Sequence, residues 1–186
     1  MASAFFPDNT VLVNFGIINR FDLLAELIGD NGVWCETVAT ECSMSTPHHP
    51  AMAQAHAIFG DPLKPDPREM SDAQILRKQM LKPGDRADPY VHLGEAETIT
   101  IAVQRGLSTS AYFITDDGDA AIHAKAAHMK VVTTWDLFRL ARRARPQMFD
   151  DNEVWRCVLA LNRAGRVHPP CPAISQGHRT FLNWLA

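Results

Sequence analysis

At 186 residues, the chain is long enough for one domain that buries roughly 70% of the surface its unfolded form exposes, so it needs no staple to fold. A hydrophobic share of 46% and a charged share of 21% exclude the disordered and fibrous classes. A formal net charge of −3 argues against a plain nucleic-acid-binding module, which ordinarily carries a basic face, but not against an enzyme whose acidic site is repolarised by bound cations.

In chain order, Ala4-Phe5-Phe6 reads as a short strand that stops at Pro7, because proline cannot donate to a sheet ladder. From Thr10 the apolar residues Val11, Leu12, Phe15, Ile18, Phe21, Leu24, Leu27 and Ile28 recur at helical spacing, with a break at Asn19-Arg20. Gly29 to Gly32 is a turn, and Val33-Trp34 a second short strand. A helix is expected from Glu36 to Met44. Two more are expected in the proline-rich middle, over Ala51–Phe59 and over Ser71–Leu81 with Ser71 and Asp72 at its start.

His92 to Gly106 reads as a helix with carboxylates in its first turn, where the dipole favours them. Ala111 to Thr115 is a buried strand, Asp116 to Asp119 a loop, and Ala120 to His128 a helix. Val131 to Thr133 is a further strand, Thr134 is expected to cap a helix from Trp135 to Arg145, and Asp151 to Arg163 forms one more. The segment after Val167 carries no clear pattern. Strands alternating with helices predict a three-layer α/β/α sandwich around a mostly parallel sheet.

Functional groups of an open parallel sheet gather at the carboxyl ends of its strands. Asp8 follows the first strand, Asp116, Asp117 and Asp119 follow the third, and Glu95 and Glu97 open the helix that leads into that third strand; Glu41 lies on the helix after Trp34. Carboxylates brought together repel, and one stays protonated unless a cation arrives. Mg²⁺ or Mn²⁺ resolves that repulsion and supports phosphodiester hydrolysis. Each acid also has a plain structural reading: Asp8 as a helix cap, Glu95 and Glu97 as dipole-compensating surface groups, and Asp116 to Asp119 as an Asx turn.

Several motifs resemble the PIN-domain nucleases, in particular the toxin-like branch. Asp8-Asn9-Thr10-Val11-Leu12-Val13 is similar to that family's D-x-N-V-L opening with Asn and Thr exchanged, and Gly94-Glu95-Ala96-Glu97-Thr98-Ile99 to its G-E-A-E-x-I helix. Thr115-Asp116-Asp117-Gly118-Asp119-Ala120 resembles its T-D-D turn. Val131 to Leu137 stands where its closing strand and helix belong, with His128-Met129-Lys130 and Thr133 in place of two glycines.

The resemblance implies a nuclease domain over residues 1–145 with a helical insert at 47–90, and a C-terminal helical extension at 146–186. It implies an endoribonuclease that binds Mg²⁺ or Mn²⁺ through Asp8, Glu41, Glu95 and Asp117, with Asp116 close behind; counting favours Asp117 and strand-end position favours Asp116. Thr115 resembles a hydroxyl residue that bonds metal water or phosphate. RNA is then the substrate and, by analogy with small stand-alone members, an antitoxin protein the partner. The rival expectation is a degenerate PIN-like module that binds protein or nucleic acid without cutting; a phosphohydrolase of small esters is a third.

The remaining features have bland readings. His48-His49 lacks partners at ligand spacing. Arg139, Arg142, Arg143 and Arg145 either track phosphate or form a solvated helix end. The four tryptophans are expected in the core or at an interface, and Cys35, Cys42, Cys157 and Cys171 as reduced thiols. No membrane span is visible, Met1 to Pro7 has no secretory pattern, and the expected compartment is the cytoplasm. The final segment is a family extension, a homodimerisation arm or a cover over the site.

Overall fold

A computed structural model describes residues 3–83, 85, 90–167 and 171–186, so the far end of the predicted 47–90 insert lies partly outside it. Three short strands, β1 (Ala4–Pro7), β2 (Ala111–Ile114) and β3 (Lys130–Val132), form a parallel sheet in that spatial order. The register pairs Phe5 with Tyr112 and Phe6 with Phe113, then Phe113 with Val131. Side chains alternate across a strand, and here the alternation divides the core. Phe6, Phe113, Ala111 and Val131 face one apolar cluster, and Phe5, Ile114 and Val132 face the other. Both faces are therefore covered by helices, as a parallel sheet requires. The chain is an α/β protein whose layering is compatible with an α/β/α sandwich.

The larger cluster is built on α1 (Asn9–Ile18), α2 (Phe21–Ile28) and α3 (Glu36–Ser45), and the smaller on α6 (Leu93–Gln104) and α7 (Gly118–Ala126). The break between α1 and α2 falls at Asn19, whose left-handed backbone (φ 53°) lets its N–H close on Gly16 and Phe15. Asparagine tolerates that conformation better than most residues, which is why the helical periodicity stops there.

Val33-Trp34, expected as a strand, is reduced to bridges. Phe5 pairs with Gly32 and Cys35 with Leu63, and the Val33 N–H donates to the Phe5 carbonyl at 2.9 Å. Ala51–Phe59 divides into a 3₁₀ turn at Pro50–Gln54 and the short α4 (Ala55–Phe59). The helix expected at Ser71 starts earlier, as α5 (Pro67–Met80). Asp66 and Glu69 form a reciprocal capping box around Pro67 at the first helical position, a start signal stronger than Ser71.

Past β3, α8 (Thr134–Ala144) is capped by Thr133, not Thr134. The Thr133 and Asp136 side chains each bond the other's backbone N–H. The final segment holds α9 (Asp151–Arg163) and α10 (His178–Leu185). Val154, Val158, Leu161, Phe181 and Leu185 are buried in the same cluster as α1 and α2. Burying each such side chain contributes about 1.5–3 kcal/mol, so α9 and α10 are part of that core. Among the described residues, no helix is long and apolar enough to cross a membrane.

Candidate functional site

Parallel strands end together, so the loops after β1 and β2 emerge side by side. The Asp8 N–H extends the ladder to the Ile114 carbonyl at 2.8 Å, and the Thr115 N–H extends it to Val132 at 3.0 Å. Asp8 takes the N-cap position of α1, but its carboxylate makes no capping bond to the first turn. It accepts hydroxyl bonds from Thr10 and from Thr115, the latter at 3.0 Å, and is 3% exposed. The carboxylate is thus held from two sides, by Thr10 at the start of α1 and by Thr115 after β2. Thr115 also accepts from the Asp117 N–H at 3.1 Å, so one buried hydroxyl ties the end of β1 to the loop after β2.

The two adjacent aspartates differ in their surroundings. Asp116 turns inward: Oδ1 accepts the Thr134 N–H at 2.8 Å, and Oδ2 accepts the Thr134 hydroxyl at 2.6 Å and the Asn14 amide at 2.8 Å. Asp117 caps α7, its Oδ1 accepting from Asp119 N at 2.7 Å and Ala120 N at 2.9 Å. It also belongs to the one trio of His, Cys, Asp or Glu ligand atoms, among the described residues, within 4.8 Å of one another: His92, Glu95 and Asp117. Asp119 is ion-paired with Lys82, which holds its carboxyl below the usual range.

Glu95 lies in the first turn of α6, with the His92 Nδ1 at 3.4 Å from its Oε1. His92 precedes that helix in a left-handed conformation (φ 59°), a costly backbone for a residue with a side chain. Glu97, two residues on, faces away. It accepts from the Thr37 N–H at 3.3 Å and from the Thr37 hydroxyl, closing the N-terminus of α3.

Two cavities flank the acids. One, of about 440 Å³, is lined by Thr10, Asn14, Lys82, Asp116, Asp117, Asp119 and Arg166. The other, of about 590 Å³, is lined by Asp8, Thr10, Glu41, Met44, Tyr90, His92 and Glu95 among others. Thr10 belongs to both walls. Glu41 reaches the site because α3 and α6 approach closely at Gly94, where an added Cβ would lie 3.0 Å from Val38 and 3.4 Å from both Glu41 carboxylate oxygens.

The electrostatics follow from burial that outweighs the nearby counter-charge. Burial pushes Glu95 up to about 7, and the nearby Asp8 charge adds to this, while His92 opposes it. Burial likewise raises Asp116 to about 6 against the bonds from Thr134, with Asp8 adding and Arg166 opposing. Asp8 is raised by burial first and by Asp117 last, with the threonine hydroxyls pulling the other way. These are carboxylates that repel one another in a poorly solvated place, a state that a multivalent cation relieves.

Sequence reasoning missed Asn14, Thr134, His92 and Arg166. Asn14 had a signal: it is the one polar side chain in the apolar run Val11-Leu12-Val13-Asn14-Phe15 and is 2% exposed. Thr134 was masked by its neighbour Thr133, since either could cap α8. His92 and Arg166 carried none.

The other candidates resolve into scaffold. Arg139 meets Asp136 at 3.0 Å, Arg142 meets Asp151 at 2.6 Å, Arg145 meets Glu26 at 2.6 Å, and Arg143 bonds the Ala186 carbonyl. His48 and His49 join no ligand trio among the described residues. All four cysteines are unbridged and buried; the Trp34 and Trp135 side chains are buried too, while Trp184 is 38% exposed. Compared with known proteins, the chain matches no family model, no curated protein and no solved structure.

Proposed function

We propose that this protein is a PIN-like, metal-dependent endoribonuclease that hydrolyses RNA phosphodiesters at the carboxyl edge of its sheet. One observation carries the reading: Asp8, Glu95 and the adjacent pair Asp116 and Asp117 come from three separate stretches of the chain to one edge, and burial and mutual repulsion hold Asp8, Glu95 and Asp116 above the usual carboxylate range. The donor set fits Mg²⁺ or Mn²⁺, which take oxygen ligands and carry the charge these acids lack.

Asp8, Glu95 and Asp117 would hold the ion, with His92 beside them and Glu41 on the rim of the same cavity as Asp8 and Glu95. When bound, such an ion supplies an activated water and stabilises charge developing on the phosphodiester. The chain's own part is orientation. Thr115 holds the Asp8 carboxylate and the Asp117 backbone in fixed relation, and Asn14 and Thr134 clamp Asp116 behind them. Side chains locked this way need little rearrangement when substrate arrives, which is the condition for electrostatic preorganisation.

A second reading, a non-cutting module of the same fold, is favoured by one fact. Both Asp116 oxygens and Asp117 Oδ1 already accept hydrogen bonds within the protein. Incubating the protein with a labelled structured RNA in Mn²⁺, Mg²⁺ or EDTA, beside the Asp8→Asn variant, tests the nuclease. Metal-dependent cutting lost in the variant is the expected result. No cutting in any condition, with no rise in melting temperature on adding Mn²⁺, transfers the assignment to the binding module.

A further inference from the structure

Arg166 follows α9 in the C-terminal segment and reaches back to α1. Its Nε donates to Asn14 Oδ1 at 3.1 Å and its Nη2 to the Thr10 carbonyl at 2.9 Å. Both acceptors are neutral. Several other docked arginines meet carboxylates: Arg20 meets Asp22 and Glu153, Arg105 meets Glu69, and Arg156 meets Glu153. Among the described residues, Arg166 has no carboxylate within ion-pair distance, and it donates through Nε and Nη2 but not through Nη1. Among the described residues, the guanidinium is thus fixed in place by neutral acceptors, near enough to Asp116 to act on its charge but not paired with it.

Its location adds to this. Arg166 lines the cavity of about 440 Å³ together with Asp116 and Asp117, and the other cation there, Lys82, is paired with Asp119. Asn14 couples the two sides of the site, because its Oδ1 holds Arg166 while its Nδ2 holds Asp116. A planar, permanently charged fork at a fixed spot beside carboxylates is the arrangement that recognises phosphate oxygens, which a lysine serves only as a point charge.

We infer that Arg166 forms a phosphate subsite beside the carboxylates, delivered by the C-terminal segment, that binds a backbone phosphodiester next to the one attacked. The identity of that ligand as RNA rests on the nuclease reading; the phosphate chemistry does not. The C-terminal segment is then part of the substrate site.

The test reads binding of a short labelled single-stranded RNA by fluorescence anisotropy, in Ca²⁺, across a salt titration. Arg166→Gln is expected to weaken Kd about tenfold, the size of one charge-assisted contact. It is also expected to reduce the slope of log K against log salt by about 0.7, the value for one phosphate contact on a single strand. Arg166→Lys keeps the slope and loses part of the affinity. Both variants keep a Mn²⁺-induced rise in melting temperature, because Asp8, Glu95 and Asp117 are unchanged in them. An Arg166→Gln protein with wild-type Kd and slope overturns the subsite, as does one whose Kd weakens with no change of slope, the mark of a purely structural strut.

Should Arg166→Gln fail to fold, the wild-type protein decides by NMR. The Arg166 Nε–H signal, assigned by its absence in Arg166→Lys, shifts on adding the RNA, and a signal unmoved by RNA, by a mononucleotide and by inorganic phosphate overturns the subsite. A signal moved by inorganic phosphate or a mononucleotide but not by RNA keeps the subsite and removes the nuclease reading. A signal moved by RNA that no metal lets the protein cut does the same.

Discussion

Two charged regions stood out in the sequence, and the fold treats them in opposite ways. Along α8 the arginines are matched: Arg139 bonds Asp136 and the Leu185 carbonyl and lies over the Trp184 ring at 4.8 Å, Arg142 bonds Asp151 and the Leu182 carbonyl, and Arg145 bonds Glu26. They fasten α10, the start of α9 and α2 to α8. At the carboxyl edge of the sheet, Asp8 meets the Thr10 and Thr115 hydroxyls and the Thr10 backbone, Asp116 meets hydroxyl, amide and backbone donors, and Glu95 has His92 near it. A charge that finds its opposite is spent on the fold. A buried charge that finds only neutral donors keeps a standing attraction for a cation, and it is the difference in pairing, not the density of charge, that separates scaffold from site.

The largest effect expected from this contrast is on cleavage. Asp8→Asn or Asp117→Asn is expected to abolish Mn²⁺-dependent RNA cutting, measured on a gel, while melting temperature changes little. Asn at position 117 can still cap α7, and Asn at 8 removes a buried charge while keeping an acceptor for Thr115. A variant of either kind that cuts at the wild-type rate breaks the assignment of the site.

Next in size is a pH effect in the metal-free protein. Glu95 is raised from 4.5 to about 7, so between those values the folded chain holds a proton that the unfolded chain releases. Stability in EDTA therefore falls as pH rises through that window, and is lowest above about 7. Glu95→Gln removes the penalty. At about pH 8 it is expected to be more stable than wild type by roughly 1–3 kcal/mol in a urea titration, with the difference gone near pH 4.5. In wild type the Mn²⁺-induced rise in melting temperature grows with pH over the same range, because metal and proton compete. An unchanged stability profile would mean the carboxylate is better solvated than its burial suggests.

The smallest effect lies on the matched side. Arg145→Ala breaks a pair whose members are both more than a third exposed, and such pairs contribute only about 0.2–1 kcal/mol. A calorimetric scan is expected to show a shift of that order, with RNA cutting unaltered. A large loss of activity would turn the arginine face from scaffold into part of the substrate path.

Local grammar made much of this legible beforehand. The strands AFFP and AYFI, the break at Asn19 and the helices α3, α6 and α9 follow from period, β-branched or aromatic content and turn residues within a few positions of one another. His128, before the last strand, adopts a left-handed φ of 64°, a conformation that L side chains rarely take. What local pattern misjudged were boundaries set by side-chain reciprocity: the Asp66–Glu69 box that starts α5, and Thr133 rather than Thr134 at the head of α8.

By itself, then, the sequence determined an alternating α/β chain with acids after its strands, because backbone propensity and side-chain alternation act over a few residues. Which acids converge, which one clamps to Asn14 and Thr134, that Glu97 turns away to close α3, and that Arg166 returns to α1 from 152 positions away were decided only by the tertiary structure. Those contacts join residues far apart in the chain, and no local pattern encodes the packing that brings them within a hydrogen bond of each other.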